Sequence, residues 1–508
     1  MLGDFIGGGA RCVSVRLFLA CLCCFCAGSA RAAGPGFTYD TVREKARALA
    51  TTDFHAPDND DLPDFLKKLN YDSYQQIRFR EEHTLWAGEP LRFAVQFFHR
   101  GYLYQDPVKI HVIERGRVSD VAFSPDFFDY GTNRFANPVP TNVDFAGFKL
   151  LYPLNIPQKR DEVASFLGAS YFRVLGAHQR YGTSLRGMAI NTAESGGEEF
   201  PRFTEFWIEK PAQLAAGIRV YALMDSPSAT GAYSFVIQPG ATTVVDTQTS
   251  LFTRKGIQKL GVAPMSSLFL MGQNRTRYIP DYRPQVHDAD GLSISYGASN
   301  WLWRPLVNPE KKHRVTSFPV TKLKGFGLMQ RDRDFRDYED LQARFELRPS
   351  YWIEPQGDWG QGSIELVEIP TVNDWNDNIV AYWVPATAAA AGQSFYWSYR
   401  ISAVSGDSDR SPLLRVRSTY LATEHDGIPT RFVIDFAGDK PVSTNLPVAL
   451  TAARGQTQNL VVEENDVQGG LRAFFDLTGG GDGNDQLRLG FKTGKGPPSE
   501  TWVYDYQK

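Results

Sequence analysis

Apolar and polar residues alternate one by one in runs spread over most of the chain, and this pattern leaves few folds open. Leu91 to Phe97 (LRFAVQF) and Val108 to Val112 (VKIHV) place every second side chain on one face, as a half-buried strand requires. Similar runs recur at 205–209, 219–224, 233–237, 266–270 and 364–369, separated by Gly, Pro, Asn and Asp. Helical periodicity is confined to 37–50 and to short stretches around 161–167 and 337–346. In 37–50, Val42, Ala46 and Leu49 share a face, and Thr41 with Glu44 reads as a capping box. The expected fold is all-β, with a large N-terminal β-sandwich or curved double sheet over residues 33–404. A Gly/Ser/Asp-rich linker follows at 405–412. Seven short candidate strands then fall at 413–421, 431–436, 447–452, 459–463, 471–477, 486–491 and 501–506. Seven strands in about 100 residues is the count of an immunoglobulin-like sandwich.

The first 32 residues follow another logic. Arg11 and Arg16 precede an apolar run from Leu17 to Ala27, and Ala30-Arg31-Ala32 offers a small-x-small cleavage site, so residues 1–32 read as a cleaved signal peptide. All five cysteines, Cys12, Cys21, Cys23, Cys24 and Cys26, lie inside it. The mature chain is thus expected to be exported and stabilised by a large core rather than by disulfides. Removing the leader takes three Arg and one Asp from 54 basic and 57 acidic residues, leaving 51 and 56 and a net charge of −5. That mildly acidic balance argues against nucleic acid as a partner.

The eight histidines, at 55, 83, 99, 111, 178, 287, 313 and 425, have no paired ligand spacing, so no metal site is expected. Gly182-Thr183-Ser184-Leu185-Arg186 lacks the final glycine of a nucleophile elbow, and no glycine loop cradles phosphate, so no cofactor is expected. Acids and aromatics remain. Aromatic rings beside polar groups, as in Tyr171-Phe172-Arg173 and Trp301-Leu302-Trp303-Arg304, suit a sugar's apolar face and hydroxyl rim. Tyr171, Arg173, Trp301 and Trp303 are therefore candidate substrate contacts. The stretch from Asp358 to Pro385 sets two apolar β-rich runs around an Asn/Asp turn. There Trp375 and Asp377 form a candidate ring-and-acid pair. Glycoside cleavage needs two carboxyl groups, one protonated and one ionised, and composition alone offers too many acids to choose them.

Five motifs carry a resemblance: Gly168 to Arg173 (GASYFR), Gly197 to Arg202 (GEEFPR), Asp225 to Gly231 (DSPSATG), Arg283 to Asp288 (RPQVHD) and Asn376 to Trp383 (NDNIVAYW). Together they resemble the periplasmic glucan biosynthesis protein family (OpgG/MdoG, with its paralogue OpgD) over essentially the whole mature chain. The resemblance implies a galactose-mutarotase-like double sheet followed by an immunoglobulin-like domain, a periplasmic location, and a role in making osmoregulated glucans with a β-1,2-linked backbone. It implies inverting β-1,2-glucan hydrolysis, with two alternatives: transglycosylation to an α-1,6-cyclised β-1,2-glucan, or non-catalytic binding and presentation of the glucan. By motif, the general acid falls on Asp377 and the general base on Asp288. β-1,2-Glucan is the implied ligand and the inner-membrane glucan synthase an implied partner, with a homo-oligomer left open. One departure is Phe345-Glu346-Leu347-Arg348-Pro349-Ser350, where some relatives carry a tyrosine before the acidic residue. The lost hydroxyl bears on proton relay to an attacking water.

Overall fold

Most of the alternating runs become strands with the burial their spacing dictates. In Ala94–His99 the deeply buried Val95 and Phe97 alternate with half-buried Gln96 and Phe98. A computed structural model describes residues 36–507 except 276, 407–410, 412, 425–427, 439–442, 480–483 and 493–497. The expected leader at 1–32 and much of the expected linker at 405–412 lie outside the described residues. All that follows concerns the unit from Phe37 onward.

Among the described residues, two large sheets dominate. A 10-stranded sheet runs from Ala94–His99 through Phe145–Ile156, Lys159–Leu167, Tyr171–Val174, Ser184–Arg186 and Leu260–Ser267 to Ile379–Pro385, Gly362–Glu368 and Arg314–Val320, with Met188–Ile190 as a tenth strand paired to Leu260–Ser267. A 14-stranded sheet faces it. Phenylalanines meet across the interlayer: Phe166 of the smaller sheet lies 5.3 Å from Phe206 of the larger, and Phe172 lies 5.1 Å from Phe235. This aromatic layer is the main core, and truncating one such ring to alanine removes about 3–5 kcal/mol.

The stretch around 161–167, whose spacing reads as helical, is instead part of the strand Lys159–Leu167. Val163, Ala164, Ser165 and Phe166 are all buried, and a strand covered on both faces loses its two-residue alternation. The other helical stretch, 337–346, contributes only the single 3-10 turns Phe335–Asp337 and Phe345–Leu347 at its two ends. The N-terminal helix is present as Tyr39–Leu49, but Thr38 is its cap, with the Thr38 amide donating to Thr41 Oγ1 at 3.2 Å. Val42 and Ala46 pack it onto Trp207, Tyr221 and Phe252 on the outer face of the larger sheet.

All seven C-terminal runs are strands. One sheet has the order Arg415–Ala422, Thr430–Ala437, Leu471–Thr478, Gln456–Glu464; a second group has the order Val448–Ala452, Asn484–Phe491, Thr501–Gln507. That is the ABED and CFG arrangement of an immunoglobulin constant-type sandwich. The second group is not separate from the rest: Leu302 and Trp303 pair in parallel with Thr501 and Trp502, so the 14-stranded sheet continues into the C-terminal sandwich.

Candidate functional site

Pairing register decides which side chains share a face. Tyr171 pairs with Arg186 and Phe172 with Leu185, Ser184 pairs with Ser266, and Leu185 and Ala381 both pair with Met265. Antiparallel partners point to the same side. Phe172, Leu185, Met265 and Ala381 belong to the main core. Tyr171, Arg173, Ser184, Arg186 and Ser266 therefore lie on the outer face of the 10-stranded sheet. The last strand in this series, Ile379–Pro385, is preceded directly by Asp377.

Asn378 fixes that end of the strand. Its Oδ1 accepts from the Phe269 amide at 2.8 Å, while its Nδ2 donates to the carbonyls of Phe269 at 3.0 Å and Ile369 at 2.9 Å. Its own amide donates to the Ser267 carbonyl at 3.0 Å. With Asn378 tied to two segments, 267–269 and Ile369, Asp377 is held by backbone rather than left on a loose turn. Asp377 itself is solvent-exposed, although many protein atoms surround it. This crowding pushes its carboxyl up to about 6, helped by the nearby Asp288 and opposed by Arg173, Arg348 and Arg186.

Asp288 follows the short strand Val286–His287 and is almost fully buried, its amide donating to the Leu268 carbonyl at 2.9 Å. Arg348 Nη1 donates to Asp288 Oδ1, and the same guanidinium lies 4.1 Å from the centre of the Phe345 ring. Phe345 is thus the platform beneath the arginine that holds Asp288. On the same outer face of the 10-stranded sheet, Arg186 lies 5.1 Å from the ring centres of both Tyr171 and Phe200, and its Nη2 donates to Glu198 Oε1. Burial pushes the Tyr171 hydroxyl up, so that ring stays a neutral phenol able to donate.

The structure therefore brings Asp377, Asp288, Tyr171 and Arg173 to one site. Trp375 stands on the same loop as Asp377 with 82% of its surface exposed. Trp301 and Trp303 are elsewhere. Trp303 is 4% exposed, packs in the core of the C-terminal sandwich and is covered by Arg331 at 3.5 Å; Trp301 stacks on Trp352 at 5.4 Å. A ring covered on its face cannot receive a sugar, so these two tryptophans are packing residues. They cannot be told from platforms in sequence, because their covers, Arg331 and Trp352, come from 28 and 51 residues away. Arg186 and Arg348 are the contributors that motif reading misses. Arg186 carries a faint signal, alternating with Ser184 in one short strand; Arg348 carries none beyond the LRPS tetrapeptide.

Comparison with known proteins identifies the family. The sequence model described as periplasmic glucan biosynthesis protein, MdoG, matches residues 37–506. The chain is 43% identical to the glucans biosynthesis protein G of Ralstonia nicotianae over 485 residues, 92% of this chain and 95% of that one. It is 43% identical to the protein of the same name from Pseudomonas syringae pv. tomato, covering 88% and 71% of the two chains. For the protein of that name from Serratia proteamaculans the identity is 42%, covering 92% of both. A family match across nearly all of the folded chain, with relatives aligned over most of their own lengths, places this chain in the MdoG family of periplasmic glucan biosynthesis proteins.

Proposed function

We propose that the protein cleaves the β-1,2-linked backbone of a periplasmic glucan with inversion, Asp377 giving its proton to the leaving oxygen and Asp288 acting as the base. The observation that carries this reading is a pair of neighbouring carboxyl groups, one of them raised to about 6 by crowding and by the other's charge. A raised acid beside a second carboxyl held by a guanidinium is the division of labour that inverting hydrolysis asks for. Tyr171, Arg173 and Arg186 line the face where the sugar ring sits, and Trp375 offers an exposed stacking surface. In this reading residues 33–404 handle the glucan, and 413–508 brace strand Asn300–Pro305.

Incubation of the purified protein with linear β-1,2-glucan tests it. A ladder of short oligosaccharides whose new reducing ends appear first as the α-anomer by NMR is the expected result; binding without any product would overturn it. A second reading, transfer to a sugar hydroxyl, is favoured by the burial of Asp288 beneath Arg348 and by a phenylalanine at 345, which offers no hydroxyl to relay a proton from water. Its product is a cyclic glucan, distinguished by mass.

Gly182 gives a sharper local test. A methyl group added there would lie 2.9 Å from Arg348 Cβ and 2.7 Å from its Cδ, and the root of that side chain cannot swing aside. Gly182→Ala is expected to displace Arg348 from Asp288 and lower kcat by about 10²-fold, the usual effect of a small misplacement at a catalytic group. In an Arg348→Gly background, which removes Cβ as well as Cδ and so the clash, Gly182→Ala should have little further effect. Additive losses in that double-mutant comparison would show that Arg348 is not the route of the effect.

A further inference from the structure

Three segments carry the two acids and the arginine that holds one of them. The first, entering at Asp281, leads to Asp288. The second, starting at Asp340, passes through the turn Phe345–Leu347 to Arg348. The third, Thr371 to Asp377, ends on the proposed acid. All three meet at one guanidinium. Arg283 Nη1 donates to Asp374 Oδ2 at 2.9 Å and to Asp340 Oδ2 at 3.0 Å, while Nη2 and Nε take Asp281 Oδ2 and Oδ1 at 2.7 and 3.0 Å.

Each carboxylate is also part of its own segment's backbone. Asp340 Oδ1 caps the amides of Gln342 and Ala343 at 2.9 and 2.8 Å, and its carbonyl accepts from Arg344, whose backbone is left-handed at φ 47°. Asp281 Oδ1 accepts from the Arg283 amide at 2.9 Å. Asp374 stands three residues before Asp377, with Asn378 fixing the far side of that acid. The Arg283 side chain is 13% exposed, so the cluster is largely shielded from the water and salt that weaken surface ion pairs.

We infer that Arg283 is a positioning residue: by holding Asp281, Asp340 and Asp374 together it sets the separation between the acid-bearing loop and the Arg348–Asp288 pair. A planar fork with several donors can serve three carboxylates at once, which a lysine ammonium on a flexible stem cannot do with fixed geometry. The inference rests on the reading of Asp377 and Asp288 as acid and base, but the arrangement it describes is measurable without turnover.

The experiment uses the mature protein carrying Arg283→Gln, Arg283→Lys or Asp374→Asn, with the exposed Arg336→Gln, whose nearest partner is its neighbour Asp334, as control. On linear β-1,2-glucan, Arg283→Gln is expected to lower kcat by about 10²-fold with KM changed less than threefold, since the residues that touch sugar are intact. Arg283→Lys should fail to rescue, Asp374→Asn should give part of the loss, and Arg336→Gln should give none. The carboxyl carbon of Asp377, titrated by NMR, should move below its native midpoint as the loop drifts from Asp288 towards water. The groups facing it, Asp288, Arg173, Arg348 and Arg186, are unchanged in these variants. A role confined to fold stability would lower the unfolding temperature and leave both kcat of the folded fraction and the Asp377 midpoint where they were, and that result overturns the inference. If Arg283→Gln does not fold, Asp374→Asn decides, because it leaves the other two carboxylates on Arg283. If the native protein turns over no glucan, the proposed activity fails while the Asp377 titration still judges the role of Arg283.

Discussion

Asparagine at position 377 should lower the rate on β-1,2-glucan by about 10²–10⁴-fold, the range lost when a positioned general acid is removed. The substitution keeps the shape of the side chain and its neighbours, so KM should hardly move while kcat collapses. Because the missing function is proton donation to a poor leaving group, a substrate whose leaving group needs no proton, such as an aryl glycoside of a β-1,2-linked glucose chain, should recover much of the loss. Equal turnover by Asp377→Asn and the native protein on the natural glucan would remove Asp377 from the acid role. The pH dependence follows from the same group. Its folded value of about 6 lies above that of an ordinary aspartate, and the active form is the protonated one. The logarithm of kcat/KM should therefore fall by about one unit per pH unit above 6, with the limb set by the free protein. Were the limb set instead by ionisation at an unperturbed aspartate, activity would already be gone near pH 5.

Which parts of this picture could be read in the chain follows from what each signal physically reports. Alternation reports a strand with one wet face, so 91–97 and the C-terminal runs were legible. In 161–167 both faces are covered, and the same physics erased the signal. Asp377 and Asp288 stand out as candidates because each sits in a short continuous motif, whereas their neighbours are brought in by pairing. Arg186 enters through two strand registers, and Arg348 arrives from a turn sixty residues beyond Asp288. Tryptophans 301 and 303 read as platforms because an aromatic next to a polar residue looks alike whether solvent or another sheet lies above it. Only the packing of Arg331 over Trp303 and of Trp352 on Trp301 shows which.

The junction where Trp303 pairs with Trp502 yields the largest expected effect on stability. Arg304, fully buried, donates from Nη2 to Glu368 Oε2 at 3.0 Å and to Asp505 Oδ2 at 3.3 Å, and so joins strands of both large sheets to the last strand of the C-terminal sandwich. The carboxylates have further donors: the Val307 amide reaches Glu368 at 2.8 Å and Thr316 Oγ1 reaches Asp505 at 2.8 Å. Arg304→Met fills similar space but takes from two buried acids their hydrogen-bonded cation, leaving only the more distant pull of Arg314, and should cost about 3–5 kcal/mol in denaturant unfolding. The sign of its pH dependence is fixed by Glu368. Burial already pushes this carboxyl up, against the pull of Arg304, and without the arginine it rises further. A carboxyl raised in the folded state binds more protons there than when unfolded, so the variant should regain stability as pH falls through that raised value and lose it as pH rises. Adding Glu368→Gln and Asp505→Asn to Arg304→Met removes the unpaired charges and should restore much of the loss. A deficit below about 1 kcal/mol for Arg304→Met, the range of an exposed pair, would mean that water enters the junction and that the sheet continuing through Trp303 and Trp502 does not bind the two sandwiches as tightly as its hydrogen bonds imply.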